Sequence, residues 1–201
     1  MGQRLVVTVN SQGKDLCKMY FHWSAYTIDA LHETNKILEC IYDGQDESEK
    51  DLQLRLIRFC EEAGGGIKNG KDSDEWKYIQ SAYPNVTFKA DGINRNYGLI
   101  AISEEGMADL QGWSEGDVFI NLDEDEVRFE VYGWYECFED YIDEMKSWGE
   151  DVEGIELGDI PDIKCDIGLF NVNDIGLILA SIENINGWVA RNGNEIYMLI
   201  A

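Results

Sequence analysis

Arg4-Leu5-Val6-Val7-Thr8-Val9-Asn10 leads into Ser11-Gln12-Gly13 and then into the aromatic-rich run from Leu16 to Trp23. The first segment is β-branched and apolar, the middle one carries turn residues, and the last alternates loosely around Tyr20, Phe21 and Trp23. Together they predict an N-terminal hairpin. Past this hairpin the period changes. Thr27 stands where a helix cap belongs, and Ile28, Leu31, Leu38 and Ile41 or Tyr42 share one face at helical spacing. Ser48 followed by Asp51 resembles a capping box with Asp in the acidic position. Leu52, Leu56, Phe59, Cys60 and Ala63 then form a stripe that Gly64-Gly65-Gly66 ends. A shorter helix is expected from about Asp74 to Ala82, stopping before Pro84.

Beyond Pro84 the pattern turns to strands. Val86 to Ala90 and Tyr97 to Ser103 flank Asp91-Gly92 and predict a loose hairpin. A short helix follows from Ser103-Glu104-Glu105 to near Gly112. Asp117 to Asn121 and Val127 to Tyr135 flank the acidic tip Leu122 to Glu126, and Val127, Phe129 and Val131 alternate with polar neighbours. Phe138, Tyr141, Ile142 and Met145 predict an amphipathic helix, and Asp174 to Ile182 another. Asn192-Gly193 between Trp188–Arg191 and Glu195–Ile200 is a strong signal for a closing hairpin. This order lacks the strict strand–helix alternation of a doubly wound sheet, so the fold class is α+β. A chain of 201 residues suits one domain over 1–201, with 1–84 and 85–201 as the alternative subdivision. Such a length needs neither disulfides nor a metal to fold.

Charge limits function more sharply than any motif. The chain has 40 acidic and 16 basic residues, a net charge of −24. Direct binding to nucleic acid or to an anionic membrane calls for the opposite sign. No run approaches the roughly 18 apolar residues of a membrane span, and the opening lacks a secretory pattern. The expected location is the cytoplasm. The charge is concentrated: residues 101–168 hold 22 acids and 3 bases, and residues 1–36 hold 3 acids and 4 bases. That acidic block also carries Trp113, Phe119, Phe129, Trp134, Tyr141 and Trp148, anchors that an acidic tail would lack. It reads as a folded acidic surface.

Within it, Asp123, Glu124, Asp125 and Glu126 form the tip between two strands. Glu136, Asp140 and Glu144 make one helical row, and Glu139 and Asp143 make a second. Carboxylates on such rows stand roughly 5–6 Å apart, and like charges there destabilise the helix. Phosphates on one DNA strand rise about 3.4 Å per step, so folded carboxylate rows can imitate a phosphate track. The alternative is a solvated face that keeps the protein soluble. These nine acids are the candidate partner-binding residues.

No pattern establishes catalysis. Cys17 with His22 and Ser24 has no orienting third group, and strand geometry sends Cys17 and His22 to opposite faces. The tip has no calcium-loop spacing, and Asn171-Val172-Asn173-Asp174-Ile175 fails at its fifth position. Gly64-Gly65-Gly66-Ile67-Lys68-Asn69 is no phosphate loop, because no Ser or Thr follows the lysine. No cofactor or metal is expected.

Gly2-Gln3-Arg4-Leu5, Tyr20-Phe21-His22-Trp23-Ser24-Ala25-Tyr26-Thr27 and Ala30-Leu31 resemble the openings of uncharacterised proteins of phages and prophages of Gram-positive bacteria. The likeness covers about the first 35 residues and supplies no catalytic residues. It implies a context in which small acidic phage proteins inhibit host enzymes that handle nucleic acid, CRISPR nucleases and restriction enzymes among them. The combined expectation is a non-enzymatic inhibitor in the host cytoplasm. Its partner would be a basic, nucleic-acid-binding host protein such as a CRISPR effector. The alternatives are a metal-dependent hydrolase built on the acidic clusters and a phage structural or assembly protein.

The five cysteines, Cys17, Cys40, Cys60, Cys137 and Cys165, have no paired spacing, which predicts free thiols. Alkylation under denaturing, non-reducing conditions followed by mass spectrometry should label all five. A stoichiometric disulfide would contradict a reducing compartment.

Overall fold

The computed structural model describes residues 4–25, 27–43, 48–89, 98–131, 142–143, 146–149, 151–154, 156–157, 169–177, 179, 189–192 and 195–198. The chain is α+β. Its centre is a mixed seven-stranded sheet built from β1 (Leu5–Ser11), β2 (Lys14–Phe21), β3 (Gly66–Ile67), β4 (Leu99–Ala101), β5 (Gly116–Asn121), β6 (Glu126–Glu130) and β8 (Leu169–Asn171). The spatial order is β3-β4-β2-β1-β5-β6-β8. A separate three-stranded sheet has the order β10-β9-β7, from β7 (Glu156–Leu157), β9 (Val189–Asn192) and β10 (Glu195–Met198).

β1 is the middle of the large sheet. It pairs antiparallel with β2 and parallel with β5, in register Leu5↔Gly116 to Asn10↔Asn121. Leu5 to Val9 are all 3% exposed or less. A strand covered on both faces reads as a continuous apolar run rather than an alternating one, as this one does. β1 therefore ties segments on both sides of residue 84 into a single sheet. β5 and β6 have the opposite signature, with Val118, Ile120, Val127 and Phe129 buried and their alternate neighbours partly or fully exposed.

One face of the sheet carries Leu5, Val7, Val9, Cys17, Met19, Phe21, Val118 and Ile120 against three helices: α1 (Thr27–Tyr42), α2 (Glu49–Glu62) and α3 (Asp74–Ala82). Leu31, Leu38 and Ile41 of α1 are buried there, while Tyr42 is half exposed. On α2 the buried stripe is Leu56, Ile57 and Cys60, with Leu52 and Phe59 packed beside it. It is rotated from the expected stripe, so Ala63 faces solvent. The second face buries Val6, Tyr20, Leu99 and Ala101 under Met107 and Leu110 of α4 (Glu104–Gln111), with Trp113 alongside. Each full burial of a Leu or Ile contributes about 1.5–3 kcal/mol.

Helix ends follow their sequence signals. Ser48, Ser73 and Ser103 each accept a hydrogen bond from the backbone N–H three residues on. Gly64, at φ +88°, follows the end of α2.

Val86 to Lys89 are not a strand, which corrects the loose hairpin expected around Asp91-Gly92. β4 instead takes β2 and β3 as partners. The segment is held by other means. Phe88 stands edge-on to Trp76 and Tyr83 at 6.1 Å, and the Lys89 N–H donates to the buried carboxylate of Glu61. Arg58 pairs with Glu61 at 2.6 Å and lies over the Phe88 ring. Aromatic packing and one buried acid hold Val86 to Lys89 without a strand ladder, and Asp91-Gly92 lies outside the described residues. The predicted helix around Phe138 to Met145 lies mostly outside the described residues; residues 142–143 and 146–147 are helical.

A second buried acid fixes the start of α4. Glu75, 5% exposed, accepts from the Ile102 N–H at 2.7 Å, the Ser103 N–H at 3.1 Å and the Ser103 hydroxyl. A Cβ at Gly106 would overlap this carboxylate. Glu75→Ala would orphan two backbone donors and should destabilise by about 2–3 kcal/mol. Gly106→Ala should also destabilise, although alanine ordinarily stabilises a helix by about 1 kcal/mol over glycine. In the Glu75→Ala background the same change should become neutral or favourable, a coupling that a double-mutant cycle in urea would read. Simple additivity would show that the two groups do not meet.

Candidate functional site

The β1–β2 turn has φ +53° at Gln12 and +71° at Gly13, the left-handed pair of a type I′ hairpin. Glycine takes this freely; glutamine pays a steric cost. The Asp123 carboxylate lies across the turn, one oxygen accepting the Gln12 N–H and the other the Gly13 N–H, both at 2.8 Å. Asp123 also receives order from its own strand, since its N–H donates to Asn121 Oδ1 at 3.1 Å. The first acid of the tip thus joins two hairpin turns rather than standing free.

Glu124 and Asp125 are exposed beside it, and Glu126 is half-buried at the start of β6. Asp125 has φ +54°, and its carbonyl accepts the Val172 N–H at 2.9 Å. Burial raises the Tyr42 phenol above its usual range, and the charge of Asp125 adds to this. Asp143 is exposed and pairs with Lys146 at 3.4 Å. Glu136, Glu139, Asp140 and Glu144 lie outside the described residues.

The sheet register sets the tip acid Glu126 in line with polar residues that the sequence reading did not connect to it. On the α4 side of the sheet, the partners Asp15, Asn10, Asn121, Glu126 and Asn171 fall in one line across β2, β1, β5, β6 and β8. With strands about 4.8 Å apart, that line runs roughly 19 Å. The next line inward is Lys18, Thr8, Phe119, Arg128 and Leu169. Thr8, Asn10, Asp15, Phe119, Ile120, Asn121, Glu124, Glu126 and Arg128 line a cleft of about 340 Å³.

Most bases on this face have partners nearby. Lys18 Nζ donates to Thr8 Oγ1 at 3.0 Å and Gln111 Oε1 at 2.6 Å, with Asp15 at 3.8 Å. Arg128 lies 4.5 Å from the Phe119 ring centre, and its Nε is 3.2 Å from Glu130. Among the described residues, Glu124 and Glu126 face no ion-pair partner. The available signal for this face was the alternation Asp117-Phe119-Asn121 against Val118-Ile120. The pairing of β1 with β5, which aligns Asn10 with Asn121, was invisible because 111 residues separate Leu5 from Gly116.

The other sequence candidates are structural. Cys17 is buried on the helix-covered face, and burial pushes its thiol well above the usual range, as it does for Cys60. His22 Nδ1 is 2.7 Å from the Tyr20 hydroxyl, and its ring stands edge-on to Trp23 at 4.9 Å. Lys68, after the glycines, is buried, pairs with Asp109 and lies over Trp113. No group of three or more His, Cys, Asp or Glu among the described residues is arranged to hold a metal ion. No described helix is long and apolar enough to cross a membrane. No family model, curated protein or solved structure matches the chain.

The tip acids should separate by substitution. Asp123→Ala leaves two turn N–H groups without their charged acceptor and should cost about 1 kcal/mol in urea unfolding. Glu124→Gln should stay within about 0.5 kcal/mol of the parent. Equal effects would mean that Asp123 does not hold the turn.

Proposed function

We propose that this protein is a non-enzymatic inhibitor of phage type. Its acidic surface occupies the nucleic-acid channel of a basic host defence protein such as a CRISPR effector. One observation carries the reading: Glu124, Asp125 and Glu126 crowd the rim of an exposed sheet face whose nearby bases, Lys18 and Arg128, have other partners. A carboxylate rim left uncompensated costs self-repulsion. A cationic partner relieves that repulsion on binding, as the phosphates of a nucleic acid would satisfy the same channel. The surplus of 22 acids over 3 bases in residues 101–168 supports the same reading. Asp123 belongs to this surface by position, but its part in the turn makes it a support for the tip rather than a free phosphate substitute.

Binding should be electrostatically steered and weaken as salt rises. The test is binding to a purified CRISPR effector at increasing salt, in competition with its guide or target nucleic acid. The acids to neutralise are Glu124, Asp125 and Glu126 at the tip, and Glu136, Glu139, Asp140, Asp143 and Glu144. Converting them to Asn or Gln should weaken binding far more than converting Asp29 and Glu33 of α1. Neutralised variants that bind and inhibit like the parent at physiological salt would reduce the acidic surface to a solubilising role.

A further inference from the structure

We propose that the cleft between the β5–β6 tip and the Asn10–Asn121 line is a receptor for an arginine side chain. This rests on the reading of the protein as a binder of a basic partner and names the chemistry it engages there. The cleft, at about 340 Å³, is within the range that accommodates a small organic group. Its floor is a register-fixed line of amides, Asn10 and Asn121, with Glu126 next in line and Glu124 at the rim. Asn10 Nδ2 donates to Asp15 at 3.2 Å, leaving its carbonyl oxygen as an acceptor.

The lining sets three carboxylates, Asp15, Glu124 and Glu126, against one guanidinium, Arg128, and Glu124 and Glu126 have no paired base among the described residues, which favours a cationic ligand. A bare metal ion does not fit. Asp15 and Glu126 are three strands apart in the line, roughly 14 Å, and no metal-holding group of acids forms among the described residues. A flat, multi-donor cation does fit. A guanidinium carries five N–H donors in a planar fork, engages a carboxylate with two parallel bonds and tolerates amide flanks, whereas an ammonium acts as a point charge. The same face already holds one guanidinium: the Arg128 guanidinium carbon is 4.5 Å from the Phe119 ring centre and its Nε is 3.2 Å from Glu130 Oε1. Arg128 also lines the cleft but pairs with Glu130, which leaves Glu124 and Glu126 without an ion-pair partner among the described residues.

The experiment is an NMR titration of the full chain with N-acetyl-arginine amide, alongside the lysine and citrulline counterparts. The arginine compound should give saturable shifts at Asn10, Asn121 and Glu126. Citrulline, of the same shape without charge, should give none, and lysine should bind distinctly more weakly. Glu126→Gln, nearly isosteric, should weaken arginine binding by about tenfold, with the remaining spectrum unchanged as the check on folding. Glu124→Gln should weaken it less. Absence of saturable shifts, equal binding of lysine, or an unaffected Glu126→Gln variant would each overturn the proposal. The readout needs no partner protein. An effector whose binding falls on neutralisation while arginine amide leaves the cleft untouched would refute the receptor alone. Saturable arginine binding with no effect of neutralisation on the effector would uphold the receptor and refute the inhibitor reading.

Discussion

A strand with five consecutive residues shielded from water must have a neighbour on each edge and a layer on each face. β1 imposes that requirement here. Its backbone donors and acceptors are satisfied by β2 on one side and β5 on the other. Its side chains need helices α1 to α3 below and part of α4 above. The placement of the acidic tip follows, because β5 leads directly to it and the parallel register with β1 sets which residues it faces.

Among the described residues, α4 roofs only part of the second face of the sheet. α4 covers Val6, Tyr20, Leu99 and Ala101, and beyond it the alternate positions of β5 and β6 are Asp117, Phe119, Asn121, Glu126, Arg128 and Glu130, polar except for Phe119. The boundary is made by polar pairs: Lys18 reaches Gln111, and Gln111 Nε2 donates to Asp117 at 2.8 Å. Apolar burial stops there because the sequence offers asparagine, glutamate and arginine where a roof would require valine or isoleucine. Among the described residues, the part of this face beyond α4 presents charged and amide side chains on a hydrogen-bonded sheet, an arrangement that favours recognition with little reorganisation.

Local signals were legible where they were self-contained. Ser48 and Ser103 announced helix starts, Pro84 followed the end of α3, and Val127 with Phe129 marked a half-buried strand. Non-local choices were not. Nothing in Val86 to Lys89 indicates that Glu61 will claim the Lys89 N–H, and the apolar run of β1 does not name β5 as a parallel partner. The rotation of the α2 stripe toward Ile57 has the same origin, since tertiary packing selects among helical faces that differ by one position. The acidic tip was visible as composition, but the different duty of Asp123 from that of Glu124 depends on a turn 110 residues away.

The parallel pairing of β1 with β5 also has a meaning in time. A ribosome adding about 5–20 residues per second needs on the order of 5–20 s to reach β5 after β1. During that interval the N-terminal hairpin exists with one apolar edge unpaired, open to any strand that passes. Long-range parallel pairing is slow to form for the same reason. Most of the negative charge lies in residues 101–168, synthesised well after β1 and β2, so electrostatic repulsion between nascent copies is weak while that edge is bare. The parallel pairing with β5 is therefore what removes that edge from competition with other strands.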